Sequence, residues 1–190
     1  MSEYALKYAA LGWAIFPCRP GDKRPATQHG CLDATTDPKQ IRAWWNERPD
    51  LNIGLACGEI SGITALDIDP RSHGREFLAA AADDNEPIDG VWESQTGGGG
   101  RHYPFNYSDE ANVDLALGAE IKSGGKYIVL PTSIHPNGNS YEWELSRSPI
   151  EDYENDQTDA DLATGDGADE EPMFLSTIFG TLRKPANSTA

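Results

Sequence analysis

Basic residues are scarce in this chain of 190 residues: 15 Lys and Arg stand against 31 Asp and Glu, leaving a net charge of −16. That acidic balance argues against tight, salt-insensitive binding of nucleic acid. Cysteine is rarer still. Cys18, Cys31 and Cys57 are odd in number and widely spaced, which fits neither a disulfide framework nor a zinc pattern. No apolar run approaches the roughly 20 residues that span a bilayer. The opening Met1-Ser-Glu-Tyr4 lacks the basic and apolar regions of a secretion signal. These absences point to a cytoplasmic protein with no membrane partner. A Walker A sequence is missing as well, which excludes a built-in helicase motor.

What is present suffices for one folded domain. Hydrophobic residues make up 38% of the chain, with five Trp among them, enough to bury a real core. The acidic residues are unevenly spread: residues 151–172 hold ten Asp or Glu and no Lys or Arg. We therefore expect a catalytic-size domain over 1–150 and a disordered acidic linker over 151–172. Residues 173–190 read as a short apolar helix and a tail.

Local patterns place the elements. Residues 3–11 form an amphipathic helix stopped by Gly12, and Trp13–Phe16 a strand broken by Pro17. Asp37-Pro38 is an N-cap followed by proline at the first helical position, opening a helix to about Arg48. Its Trp44 and Trp45 belong to the core rather than to a base-stacking platform. Asn52–Ala56 and Ile63–Asp69 read as neighbouring strands, residues 74–82 as a helix, and Val91–Ser94 and Arg101–Asn106 as strands around a glycine run. Leu117–Lys122 and Lys126–Leu130 read as a hairpin across Ser123-Gly-Gly125, and Ser140–Glu144 as a last strand. Strands mixed with a few helices, without steady alternation, indicate an α+β fold with a mixed, largely antiparallel sheet.

Two motifs carry chemistry. In Leu66-Asp-Ile-Asp-Pro70, strand alternation turns Asp67 and Asp69 to one face and Leu66 and Ile68 into a core. Carboxylates roughly 7 Å apart along a strand repel unless a cation sits between them, and Mg²⁺ favours such oxygen ligands together with phosphates. A solvated strand end is the plain alternative. In Thr96-Gly-Gly-Gly-Gly-Arg-His102, the glycines let backbone N–H groups such as those of Gly99 and Gly100 approach an anion, with Arg101 and His102 next in line. Glu120 and Lys122 share a face, offering a third carboxylate and a cation for phosphate, or an ordinary surface ion pair. Tyr127 is placed to pack on a nucleotide sugar or on the sheet, and Ser133 and His135 offer polar contacts from a loop. Arg19, Lys23 and Arg24 form a basic loop suited to template phosphates.

The ordered set of motifs resembles the N-terminal catalytic domain of bifunctional DNA primase/polymerases, in the archaeo-eukaryotic primase superfamily. The stretches that carry the resemblance are Gly12-Trp-Ala-Ile-Phe-Pro17, Lys23-Arg-Pro-Ala-Thr27, His29-Gly30, Ala34-Thr-Thr-Asp-Pro38, Trp44-Trp45, Asn52-Ile-Gly54, Gly62 and Leu66 to Pro70. Thr96 to Phe105, Gly118 to Lys122 and Pro131 to Trp143 complete it, so that it covers about residues 4–145. The resemblance implies an RRM-like sheet flanked by helices with an N-terminal α/β element. It implies template-dependent nucleotidyl transfer in a plasmid, virus or mobile-element replication system, with (d)NTPs as substrates and single-stranded DNA template and primer as partners. A separate helicase would supply unwinding. Asp67, Asp69 and Glu120 would hold two Mg²⁺ or Mn²⁺ ions, and His102 would meet the nucleotide phosphates.

Three departures from the family pattern stand out. Glu120 replaces the usual Asp, Lys122 the usual Arg with its two-pronged grip on phosphate, and Gly97-Gly98 a Pro-Ser pair. These departures sustain an alternative, a catalytically weak or inactive replication-initiator or single-strand-binding module. A DxD glycosyltransferase is a further rival.

Overall fold

The computed structural model describes residues 1–70, 92–107, 119–144 and 148–150. Asp37 accepts a hydrogen bond from the Lys39 amide at 2.9 Å and Pro38 opens helix α2 (Pro38–Glu47), so the N-cap read from the sequence is in place. Helix α1 (Ser2–Ala10) ends before Gly12, whose φ of +83° turns the chain away. The two helices pack together over a core that takes Ala5 and Tyr8 from α1 and Ile41 and Trp45 from α2. Trp45 is buried and its indole N–H donates to the Leu51 carbonyl at 2.9 Å, so the ring contributes apolar area without stranding its polar atom.

Two antiparallel sheets complete the α+β fold. The first orders β1 (Ile15–Cys18), β2 (Asn52–Ala56) and β7 (Tyr127–Val129). The second orders β6 (Ala119–Lys122), β3 (Ile63–Ile68), β5 (Arg101–Asn106), β4 (Ser94–Gln95) and β8 (Glu142–Trp143). Ile15, Ile53, Leu55, Ile128 and Leu130 of the three-stranded sheet and its flank meet Ile63 and Ala65 of the five-stranded sheet in the helix-capped core. The opposite face of the small sheet carries a second cluster of Phe16, Cys18, Val129 and Tyr141.

Three expectations are corrected. Pro17 lies inside β1, opposite Ile53, rather than ending it; β1 is at a sheet edge, where proline's missing N–H costs no ladder bond. β2 and β3 are consecutive but belong to different sheets. β6 and β7 likewise part company, although the Lys126 amide does close the turn on the Ser123 carbonyl at 2.9 Å. Turn chemistry reverses the chain; it does not choose the partner strand. Here the demand to bury both faces of β2 and most of β3 sends each to a different sheet. The expected helix at 74–82, the linker at 151–172 and the helix within 173–190 lie outside the described residues. Among the described residues no helix is long and apolar enough to cross a membrane.

Candidate functional site

Register builds the site. Asp67 on β3 stands directly opposite His102 on β5 and directly opposite Glu120 on β6. Directly paired residues of antiparallel strands share a face, so three strands present Glu120, Asp67 and His102 as one row. His102 Nε2 lies 3.5 Å from Asp67 Oδ1. Lys122 follows two residues after Glu120 on the same face, and its Nζ bridges Asp67 Oδ2 at 3.5 Å and Glu120 Oε2 at 2.5 Å. Lys126, from the turn after β6, holds the other Glu120 oxygen at 3.0 Å. As expected from the alternation, Ala119 and Ile121 are buried on the opposite face, and Leu66 and Ile68 with them.

Electrostatics follow from these contacts. The Lys122 hydrogen bond, helped by Lys126, holds the Glu120 carboxyl below its ordinary range. Burial pulls Lys122 down, but its bond to Glu120 and the charge of Asp67 prevail and raise it. His102 is the outlier. Burial, reinforced by the charges of Lys23 and Lys122 and opposed by Asp67, lowers its pKa to about 4, so the imidazole is neutral at pH 7.

Asp69 leaves β3 half-buried beside the glycine turn between β4 and β5. That turn is tight. Gly99 N–H donates to the Thr96 carbonyl at 2.9 Å and Gly100 N–H to Thr96 Oγ1 at 3.0 Å, so these two amides are engaged within the turn. A Cβ on Gly100 would come within 2.4 Å of the Ile68 carbonyl, and one on Gly97 within 2.4 Å of His135 Cβ. Glycine is therefore what lets the turn press against the end of β3 on one side and His135 on the other.

Other residues singled out by sequence are placed elsewhere. Arg101 alternates to the face opposite His102, where it pairs with Glu93 at 3.3 Å and Gln95 at 3.2 Å. Ser133 is buried and accepts from the Ile53 amide at 2.9 Å. Tyr127 donates to the Lys23 carbonyl at 3.1 Å and packs edge-on against Phe16.

Sequence reading missed Tyr141 and Ser94. The Tyr141 ring stacks on His102 at 6.1 Å and meets His135 at 5.8 Å, lying between the two histidines. Ser94 stands directly opposite His102 on β4. Tyr141 Oη and Ser94 Oγ are buried without a hydrogen-bond partner among the described residues. Nothing in the local sequence marks either residue; only the pairing of β4, β5 and β8 brings them to the row.

Among the described residues no three His, Cys, Asp or Glu side chains are grouped to hold a metal, and Glu120 is turned to the two lysines. The donor set nevertheless suits a hard divalent cation: two carboxylates are cross-strand neighbours and one ammonium bridges them, so the space between them already accommodates positive charge.

The family model described as bifunctional DNA primase/polymerase, N-terminal, matches residues 5–155. No curated protein matches the chain.

Proposed function

The chain belongs to the bifunctional DNA primase/polymerase N-terminal family, and from that premise we propose that it is a template-dependent nucleotidyltransferase acting on (d)NTPs, with release of pyrophosphate. The observation that carries this reading is the cross-strand row of Glu120, Asp67 and His102 with Lys122 beside it. Asp67, Asp69 and Glu120 are the side chains to hold two Mg²⁺ or Mn²⁺ ions. Bound there, such ions would polarise phosphoryl oxygens and favour the ionised form of an attacking hydroxyl.

The protein's own groups do the rest. Lys122, half withdrawn from solvent, presents a fixed cation to phosphate oxygens. His102, neutral and with Nε2 3.5 Å from Asp67 Oδ1, offers one N–H, a directional donor rather than a charge. Carboxylates that repel a bare phosphate chain admit it once cations neutralise them, which reconciles an acidic body with an anionic substrate. Single-stranded DNA template and primer are the partners of this reading, a separate helicase opens the duplex, and the setting is cytoplasmic replication of a plasmid, virus or mobile element.

The test is incubation with primed and unprimed single-stranded templates, labelled NTPs or dNTPs, and Mg²⁺ or Mn²⁺, with products resolved by length. Asp67→Ala and Asp69→Ala are each expected to abolish incorporation with the fold retained; full incorporation by both would reject the assignment. The engagement of Glu120 by two lysines favours a second reading, a non-catalytic single-strand-binding module. Metal-independent DNA binding with no nucleotide incorporation by the parent chain would establish it instead.

A further inference from the structure

The cations around the row are unequally committed. Lys122 is shared between Asp67 and Glu120, Lys126 is held by Glu120, and Arg101 faces the other way against Glu93. Lys122 therefore meets a phosphate chain with a charge already shared by two carboxylates. A triphosphate entering this region gains from a second cation that no carboxylate holds.

Lys23 meets that need. It sits in the loop after β1, whose backbone is pinned at several points. The buried Asn52 amide donates to the Asp22 carbonyl at 3.0 Å, Tyr127 donates to the Lys23 carbonyl at 3.1 Å, and Arg19 N–H donates to the Arg24 carbonyl at 2.9 Å. Asp22, the nearest carboxylate in sequence, is saturated: one oxygen accepts the Lys23 and Arg24 amides, the other takes Arg24 Nε at 2.6 Å and Nη2 at 2.5 Å. Among the described residues the Lys23 ammonium has no ion-pair partner.

Its placement is equally specific. The loop is braced against the second core cluster through the Cys18–Pro25 bridge and through Tyr127, and that cluster includes Tyr141, whose ring stacks on His102. Loop, cluster and row are thus contiguous. The charge of Lys23 is felt at His102, alongside that of Lys122.

We infer that Lys23 is a ligand for the triphosphate of the incoming nucleotide, reaching it from the β1 loop while Lys122 reaches it from β6. The assignment rests on the nucleotidyl-transfer reading above, and it moves Lys23 from the template, where its sequence context had put it, to the nucleotide. A pinned backbone with a free four-carbon side chain suits a point contact to mobile phosphate oxygens.

The experiment compares Lys23→Gln and Lys23→Arg with the parent chain, by anisotropy of a fluorescent deoxynucleoside triphosphate and, separately, of a labelled single-stranded oligonucleotide. Because the side chain is exposed and makes no contact that the fold uses, both variants should unfold at the parent's temperature. Lys23→Gln is expected to weaken triphosphate binding about tenfold, the size of one charge-assisted contact, and to raise the nucleotide KM with kcat within about twofold. Lys23→Arg should retain most of the affinity, and oligonucleotide binding should be unchanged in both. Triphosphate affinity within about twofold of the parent for Lys23→Gln, or a loss confined to the oligonucleotide, would overturn the inference, as would a parent that binds no triphosphate. A parent that binds triphosphate through Lys23 yet incorporates no nucleotide would instead overturn the polymerase reading and leave Lys23 as a ligand.

Discussion

The helix-capped half of the protein and the five-stranded sheet treat buried polar atoms in opposite ways. In the core that α1 and α2 cover, four polar side chains have found partners. Asn52 uses its amide on Asp22 and Ile134, Ser133 accepts from Ile53, Trp45 donates to Leu51, and Tyr8 receives the Trp143 indole N–H at 2.8 Å. On the five-stranded sheet and its flank, Thr64, Ser94 and Tyr141 each bury an atom that has none among the described residues. Orphaned polar atoms cost stability and are uncommon in native interiors. Two of the three, Ser94 and Tyr141, lie against His102. The contrast teaches that one region is built to hold together, while the other accepts a cost around the proposed site.

The sharpest way to break the comparison is to exchange the two kinds of damage. Asp67→Asn should lower nucleotide incorporation at least about a thousandfold, roughly 4 kcal/mol of barrier, while the thermal midpoint moves by no more than about 2 °C. Trp45→Ala should do the reverse. Losing a fully buried indole should cost about 3–5 kcal/mol in urea unfolding, with activity per folded molecule intact; a smaller loss would mean that the helical layer is not the stabilising half.

A pH experiment probes the costly half directly. His102 titrates near pH 4 in the folded chain and about 6.5 when unfolded. The unfolded state therefore binds the proton more readily. Stability is fully present above about pH 6.5 and is lost as pH falls toward 4, by roughly 3 kcal/mol in the metal-free protein. His102→Gln should flatten that part of the profile, and an unchanged slope would show that another group supplies it. The smallest effect has the most telling sign. Tyr141→Phe deletes a hydroxyl without a partner and keeps the ring between the two histidines, so it should leave stability unchanged or raise it by up to about 1 kcal/mol. A clear loss would show that the hydroxyl is satisfied in solution.

Much of this was legible in the sequence, residue by residue. The Asp37-Pro38 cap, the buried Trp45, the alternation through Leu66 to Asp69, and the shared face of Glu120 and Lys122 follow from local rules whose range is a few residues. Arg101 shows where such rules mislead. Adjacent to His102, it was expected to serve the same anion, yet on a strand adjacency means opposite faces. The glycine turn shows a second limit: Gly99 and Gly100 are flexible in sequence but turn their amides on Thr96 once the turn closes.

By itself, then, the sequence determined the α+β class, the helix start at Pro38, and which side chains could carry charge to one face of a strand. These depend on periodicity and capping, which act between near neighbours. The tertiary structure alone decided that β2 and β3 part into different sheets, that Asp67 lies between Glu120 and His102, and that Tyr141 comes to lie against His102. Pairing between distant strands is set by the burial of whole faces, a quantity summed over the folded chain, and no window of sequence contains it.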